Sequence, residues 1–225
     1  MNAALLLALA VQFPTDPPPP APLRPAQFPP FREARLASGL QLILVENHEL
    51  PIVSVSLAMH AGSRHEPRGR EGLAEIMAEL LTKGTRTRTA EQIAEQIEGV
   101  GGSLAASAGS DLLTISTTVL TDHLDLAFTL LSDVLLNSTF AQAEFDLAMQ
   151  RTLSNLQLEK SSPETLAGRY FAQGIYGDHP YGRSVTEASL GGVTRQAVAE
   201  YAASWLKPGA AFVVIAGDLS LADAR

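Results

Sequence analysis

The sequence predicts an α+β fold, a mostly antiparallel sheet covered on one face by helices, and two observations point there. Runs of strand character lie toward both ends of the chain, at 40–46, 52–60 and 211–216, with two more at 103–108 and 112–119. Between them stand long segments, at 124–136 and 141–159, whose apolar residues recur at helical spacing. No internal repeat is visible.

Taken in order, the chain opens with nine apolar residues, Ala3 to Val11. That is the length of a signal-peptide core and far short of the ~20 residues that span a bilayer. It lacks a basic leader and a clean small-x-small cleavage site, so a secretory signal and a tail are both left open. Location follows the same fork, periplasmic or secreted with a signal and cytoplasmic without one. Phe13 to Pro30 holds nine prolines, a composition that favours polyproline II and cannot build a core, so residues 1–30 read as a signal segment and linker. Folding starts near Phe31. Glu33 to Leu36, a turn at Ser38-Gly39 and Leu40 to Glu46 form a hairpin, and Ile52 to His60 alternates like a strand.

Next comes the segment Gly72 to Thr85. Leu73, Ile76, Met77, Leu80 and Leu81 fall on one helical face, which should be buried, and leave Glu75 and Glu79 together on the other. Thr89 suits the N-cap of a helix at 90–98, stopped by Gly99-Val100-Gly101-Gly102. Two strands follow, joined through Gly109-Ser110. Asp122 is expected to cap the 124–136 helix, and the 141–159 helix offers Phe145, Leu147, Met149, Leu153, Leu156 and Leu158 for burial. Ser161-Ser162-Pro163-Glu164 ends one helix and starts another. A loop at 177–183, a helix at 194–205, a Lys207-Pro208-Gly209 turn and the strand 211–216 complete the order.

At 225 residues, 46% hydrophobic and 18% charged, the chain can bury a sizeable core. A net charge of −8 excludes nucleic acid as the expected partner, since the arginine clusters at 64–70 and 86–88 are interleaved with acids and threonines. No segment reads as transmembrane. The absence of cysteine excludes disulfides and thiolate metal sites.

The segment Gly72-Leu73-Ala74 … Lys83-Gly84-Thr85 resembles the active-site helix of the M16 zinc peptidases (pitrilysin, insulinase and processing peptidases), Gly-Leu-Ala-His-x-x-Glu-His-x-x-x-Lys-Gly-Thr. Further stretches match in the family's order: Gly39-Leu40, Ala61-Gly62-Ser63-Arg64-x-Glu66, Gly101-Gly102-Ser103-Leu104-Ala105-Ala106, His179-Pro180-Tyr181-Gly182 and Val214-Ile215-Ala216-Gly217-Asp218. The similarity covers about residues 33 to 221. It implies the family's α+β domain over 31–225, the first of two homologous domains, with the second absent from this sequence.

The chemistry departs from the frame. The resemblance places the two zinc histidines and the intervening base on Glu75, Glu79 and Ala78, and counting back from Pro163 puts the third ligand on Asn155. None is the residue that the zinc chemistry uses. No zinc or other cofactor is therefore expected. The resemblance also implies that an extended peptide adds to the sheet edge along Ser103, Leu104, Ala105, Ala106, Ser107 and Ala108, with Ala105 where the family often has asparagine. Main-chain groups do that work and tolerate sequence change.

Other chemistry is poorly supported. Glu75 and Glu79 suit a solvated helix face, and the five histidines are scattered with no pair one helical turn apart. Asp178, Glu187 and Asp218 lack any sign of pairing, and Ser107, Ser110 and Ser116 lack a nucleophile turn. Glycines 99, 101 and 102 follow a helix, the wrong order for a phosphate loop. The expected function is that of a non-catalytic M16 subunit or half-subunit that positions peptide and completes the chamber of a zinc-bearing partner. The alternatives are weak metal-dependent hydrolysis through Glu75 and Glu79, and a free-standing peptide-binding domain.

Overall fold

The computed structural model describes residues 29–207, 209 and 211–224. The signal and linker readings, and Pro208 of the expected turn, fall outside the described residues. In chain order the elements are β1 (Arg32–Arg35), β2 (Gln41–Glu46), β3 (Ile52–Met59), α1 (Leu73–Leu81), α2 (Ala90–Glu98), β4 (Ser103–Ala108) and β5 (Leu113–Leu120). Then follow α3 (Leu124–Asn137), α4 (Gln142–Glu159), α5 (Pro163–Tyr176), α6 (Glu187–Gly191), α7 (Arg195–Trp205), β6 (Ala211–Gly217) and α8 (Leu221–Ala224). No helix among them is long and apolar enough to cross a membrane.

The six strands form one sheet in the order β1-β2-β6-β3-β5-β4, antiparallel except where β6 runs parallel to β2. Register puts Leu42, Leu44, Val55, Leu57, Met59, Ile115, Val213 and Ile215 on one face, all buried. The opposite face carries Ser54, Ser56, Ser116 and Thr118 and is open to half-open. That alternation is why the helices gather on one side only.

α1 lies in the middle of this packing. Its Leu73, Ala74, Ile76, Met77, Ala78, Leu80 and Leu81 are buried, a wider face than the periodicity alone predicts because both alanines are covered. Burying one such leucine contributes about 1.5–3 kcal/mol, so α1 is the main tie between sheet and helices. Gly72 starts the helix at φ 104°, a left-handed position where a Cβ would also stand 3.0 Å from Leu190 Cδ2.

Two expectations about the helices need correction. Asp122 does not cap α3: Thr121–His123 form a 3-10 turn that leads into the helix, and no side chain caps its start. On α4, Phe145 and Leu156 are buried and Met149 packs against the core, but Leu147, Leu153 and Leu158 are exposed. A 3.6-residue helix buries one side, and these leucines fall off the stripe set by Phe145, Ala148 and Leu156. α6 is not apparent from periodicity because it is five residues long; the Thr186/Ser189 capping box starts it.

Candidate functional site

The candidate site is a cleft of about 390 Å³ between α1 and the edge strand β4. Glu75, Ala78, Glu79, Thr82 and Lys83 line one wall, and Leu104 to Ala108 the other. Among the described residues β4 pairs only with β5, so its outer edge offers unpaired main-chain groups to the cleft. Along β4 the side chains alternate, with Ser103, Ala105 and Ser107 exposed and Leu104, Ala106 and Ala108 half-buried. Every residue there but Leu104 is small, which lets another backbone approach.

The fold brings together three of the four motif positions. Glu75, Ala78 and Glu79 share the cleft; Asn155 is exposed on α4 and does not line it. Ser103 lies just outside, in a neighbouring groove against Ile93 and Ile97 of α2. Ala78 is covered, so the position that the resemblance assigns to the base holds a methyl group packed into the core.

Glu79 has a partner across the helices. Its Oε1 accepts a hydrogen bond from Arg151 Nη1 on α4 at 3.0 Å. Arg151 stands one helical turn before Asn155. A guanidinium thus joins the two helices, α1 and α4, on which the four motif positions lie. Two carboxylates, one already paired, with a methyl group and an amide outside the cleft supply no imidazole and no third ligand, a donor set that falls short of the three protein ligands of a catalytic zinc. No group of three or more His, Cys, Asp or Glu side chains among the described residues is placed to hold a metal ion.

The retained flanks of the motif hold one another. Glu66 is buried; its carboxyl accepts from Ala74 N at 2.7 Å and from Gly72 N at 3.2 Å, closing the first turn of α1. Burial pushes this carboxyl up to about 7, outweighing the backbone N–H bonds that favour the anion. At the far end of α1, Thr85 donates to the buried Asp133 of α3 at 2.8 Å, beside Arg88 Nη1 at 2.6 Å and Asn137 Nδ2 at 2.9 Å. Burial alone would raise the Asp133 pKa, but these bonds together hold it below the usual carboxylate range.

The turn that follows β4 is fastened in the same way. Ser63 N and Arg64 N donate to the carbonyls of Gly109 and Ser110, at 3.0 and 2.9 Å. The Arg64 guanidinium and the Tyr181 hydroxyl both reach Asp111 Oδ1, at 2.8 and 2.7 Å. The Tyr181 bond is the main cause of the lowered Asp111 pKa. His179 accepts from Tyr181 N and caps the short turn at 180–182, a structural role. Sequence reasoning missed the parts played by Glu66, Asp111, Asp133 and Arg151. For Glu66 a signal existed, an acid shortly before the Gly-Leu start of a helix.

The other carboxylates are engaged separately: Asp178 with Arg68, Glu187 with Lys160 and Gln157, and Asp218 with His48. A second cleft, of about 440 Å³ and lined by Arg68, Glu71, Gln173, Asp178 and Arg183, contains no motif position.

Comparison with known proteins points one way. A model of the insulinase family, peptidase family M16, matches residues 41–189. A Mycobacterium leprae protein described as an uncharacterized zinc protease is 32% identical over 186 residues, 82% of this chain and 42% of that protein. A Rickettsia bellii protein of the same description is 30% identical over 159 residues, 71% of this chain and 39% of that protein. The crystal structure of a peptidase M16 inactive domain from Pseudomonas fluorescens superposes with a TM-score of 0.83 at 25% identity, covering 87% of this chain and 48% of that one. The chain spans under half the length of each.

Proposed function

The chain belongs to the insulinase (M16) peptidase family, and we propose that it serves there as a non-catalytic subunit or half-subunit, holding an extended peptide along β4 while a zinc-bearing M16 partner cuts it. One observation carries this reading. The cleft between α1 and the free edge of β4 is kept and braced at both ends, while the positions that would do chemistry hold Glu75, Ala78, Glu79 and Asn155.

The division of labour follows from what each task requires. Peptide pairing needs an open strand edge and small side chains, which β4 supplies through Ala105 to Ala108. Hydrolysis needs an activated water and a base, and Ala78 can take no proton. The Arg151–Glu79 pair links α1 to α4, the two helices that carry the motif positions. Orienting a peptide contributes to rate even when the reacting groups sit on another chain. Residues 31–225 are read as the first of two homologous domains. A periplasmic or secreted location belongs to the same proposal and rests on the apolar run 3–11.

The test is reconstitution. The purified chain, a histidine-bearing M16 chain from the same source, and their mixture are each given an unstructured peptide. Cleavage is expected to be absent with this chain alone and raised in the mixture above the partner's own rate. A partner equally active alone would remove the two-chain reading, and cleavage by this chain alone would make it a peptidase.

A further inference from the structure

We propose that the cleft enclosed by the segment before α1, by α5 and by the loop at 177–186 is a carboxylate-binding site, with Arg183 as its anchor and the free C-terminal end of a peptide as its ligand. The chain carries 24 acidic residues against 16 basic ones, so a guanidinium drawn away from water ordinarily finds a carboxylate. Arg183 does not. It is half-buried, its Nη1 donates to the Glu66 carbonyl at 3.3 Å, and its Nε is buried with no acceptor. Among the described residues no carboxylate forms an ion pair with it. Buried donors without partners are uncommon and call for a reason. What is left over is the Nε–Nη2 edge, whose two parallel N–H groups match the two oxygens of a carboxylate. Nε is covered in this structure, so the side chain turns toward the cleft when it binds.

The rest of the cleft suits the end of a peptide better than a bare anion. Its volume of about 440 Å³ lies within the range of small-ligand sites. Arg68 stands at the rim, 65% exposed; its two bonds to Asp178 are 3.2 Å long and reach a carboxylate that is itself 94% exposed, so this guanidinium can be shared with a ligand. Glu71 and Asp178 line the same cleft, and the Glu71 carboxylate accepts from Gly69 N but has no cationic partner among the described residues. Two acids beside two arginines disfavour a multiply charged anion such as phosphate. They accommodate a single carboxylate whose neighbouring amide N–H groups face Glu71, while Gln173 and Ser184 offer further groups that bond main-chain amides. The wall is set before a ligand arrives: a Cβ at Gly182 would stand 2.5 Å from the Gly177 carbonyl oxygen, and Tyr181 is bonded to Asp111, so little of the loop has to be ordered on binding. The site depends neither on pairing along β4 nor on a zinc-bearing partner.

Isothermal titration of the full chain with acetyl-capped tri-alanine, once with its free carboxylate and once as the C-terminal amide, tests this directly. The free acid is expected to bind about tenfold more tightly than the amide, and less tightly as salt rises. Arg183→Gln should abolish that preference. Arg68→Ser, at an exposed position where the fold is not at stake, should reduce it about threefold with an unchanged thermal melt, and so reads the site even if Arg183→Gln fails to fold. In the presence of the free acid, hydrogen exchange should slow between Gly177 and Thr186 and not at Ser103 to Ala108. Equal binding of acid and amide, or a preference that survives Arg183→Gln, would overturn the proposal. Protection confined to β4 would do the same by assigning the carboxylate to the other cleft. Free alanine or inorganic phosphate binding as tightly as the peptide acid would overturn the choice of a peptide end as ligand.

Discussion

On the proposed reading, Glu75, Ala78 and Glu79 hold the shape of the cleft without its reaction. All three line the cleft beside β4, and Ala78 is also packed into the core. Restoring Glu75→His and Glu79→His together should raise zinc affinity by supplying imidazole ligands, and should free Arg151, but without a base at Ala78 it should give no proteolysis. Isothermal titration with zinc and a peptide-cleavage assay check both halves, and cleavage by that double variant would place a base elsewhere. The Arg151–Glu79 pair is half-exposed, so its loss alone should cost no more than ~1 kcal/mol.

Glu66 carries a pH signature of its own. Its carboxyl is raised from 4.5 to about 7, so the folded state keeps a proton that the unfolded state releases. The stability it contributes is present below pH 4.5 and is lost as pH rises through 7. The stability of the wild type relative to Glu66→Gln should therefore fall between pH 5 and 7.5, on the order of 3 kcal/mol in total. Urea titrations of both proteins at the two pH values read the difference, and a flat difference would show that Glu66 is ionised throughout.

At the scale of elements, α3 is tied to the end of α1 by Asp133. Its pKa is lowered, so this contribution is present above the ordinary aspartate range and lost as pH falls through the folded value, opposite in sign to that of Glu66. Asp133→Ala leaves Thr85, Thr87 and Arg88 without their common acceptor and should cost about 2–3 kcal/mol in thermal unfolding. A loss below ~0.5 kcal/mol would mean that the network is not structural.

Elements with a strong local pattern were legible in the sequence. The burial stripe of α1, the Thr89 N-cap of α2 and the alternation of β3 each follow from neighbours within one or two turns. What depended on distant partners was not. β6 sits between β2 and β3 although more than 150 residues separate it from either, and nothing local to Ala211–Gly217 announces that place. The Glu79–Arg151 pair spans 72 positions. Leu147, Leu153 and Leu158 read as core because they are leucines, and only the rotation of α4 against its neighbours decides otherwise.

For the molecule as a whole, the kept features share one direction. Glu66 and Asp133 fix the two ends of α1, the Arg64–Asp111–Tyr181 contacts fix the turn after β4, and between them lies a cleft with an open strand edge. The most direct test is hydrogen exchange on the chain saturated with an unstructured peptide, with the peptide's mass read from the same samples. The account expects slowed exchange at Ser103 to Ala108 and a peptide that stays intact with or without added zinc. Unchanged exchange along β4, or a peptide cut by this chain alone, would contradict it.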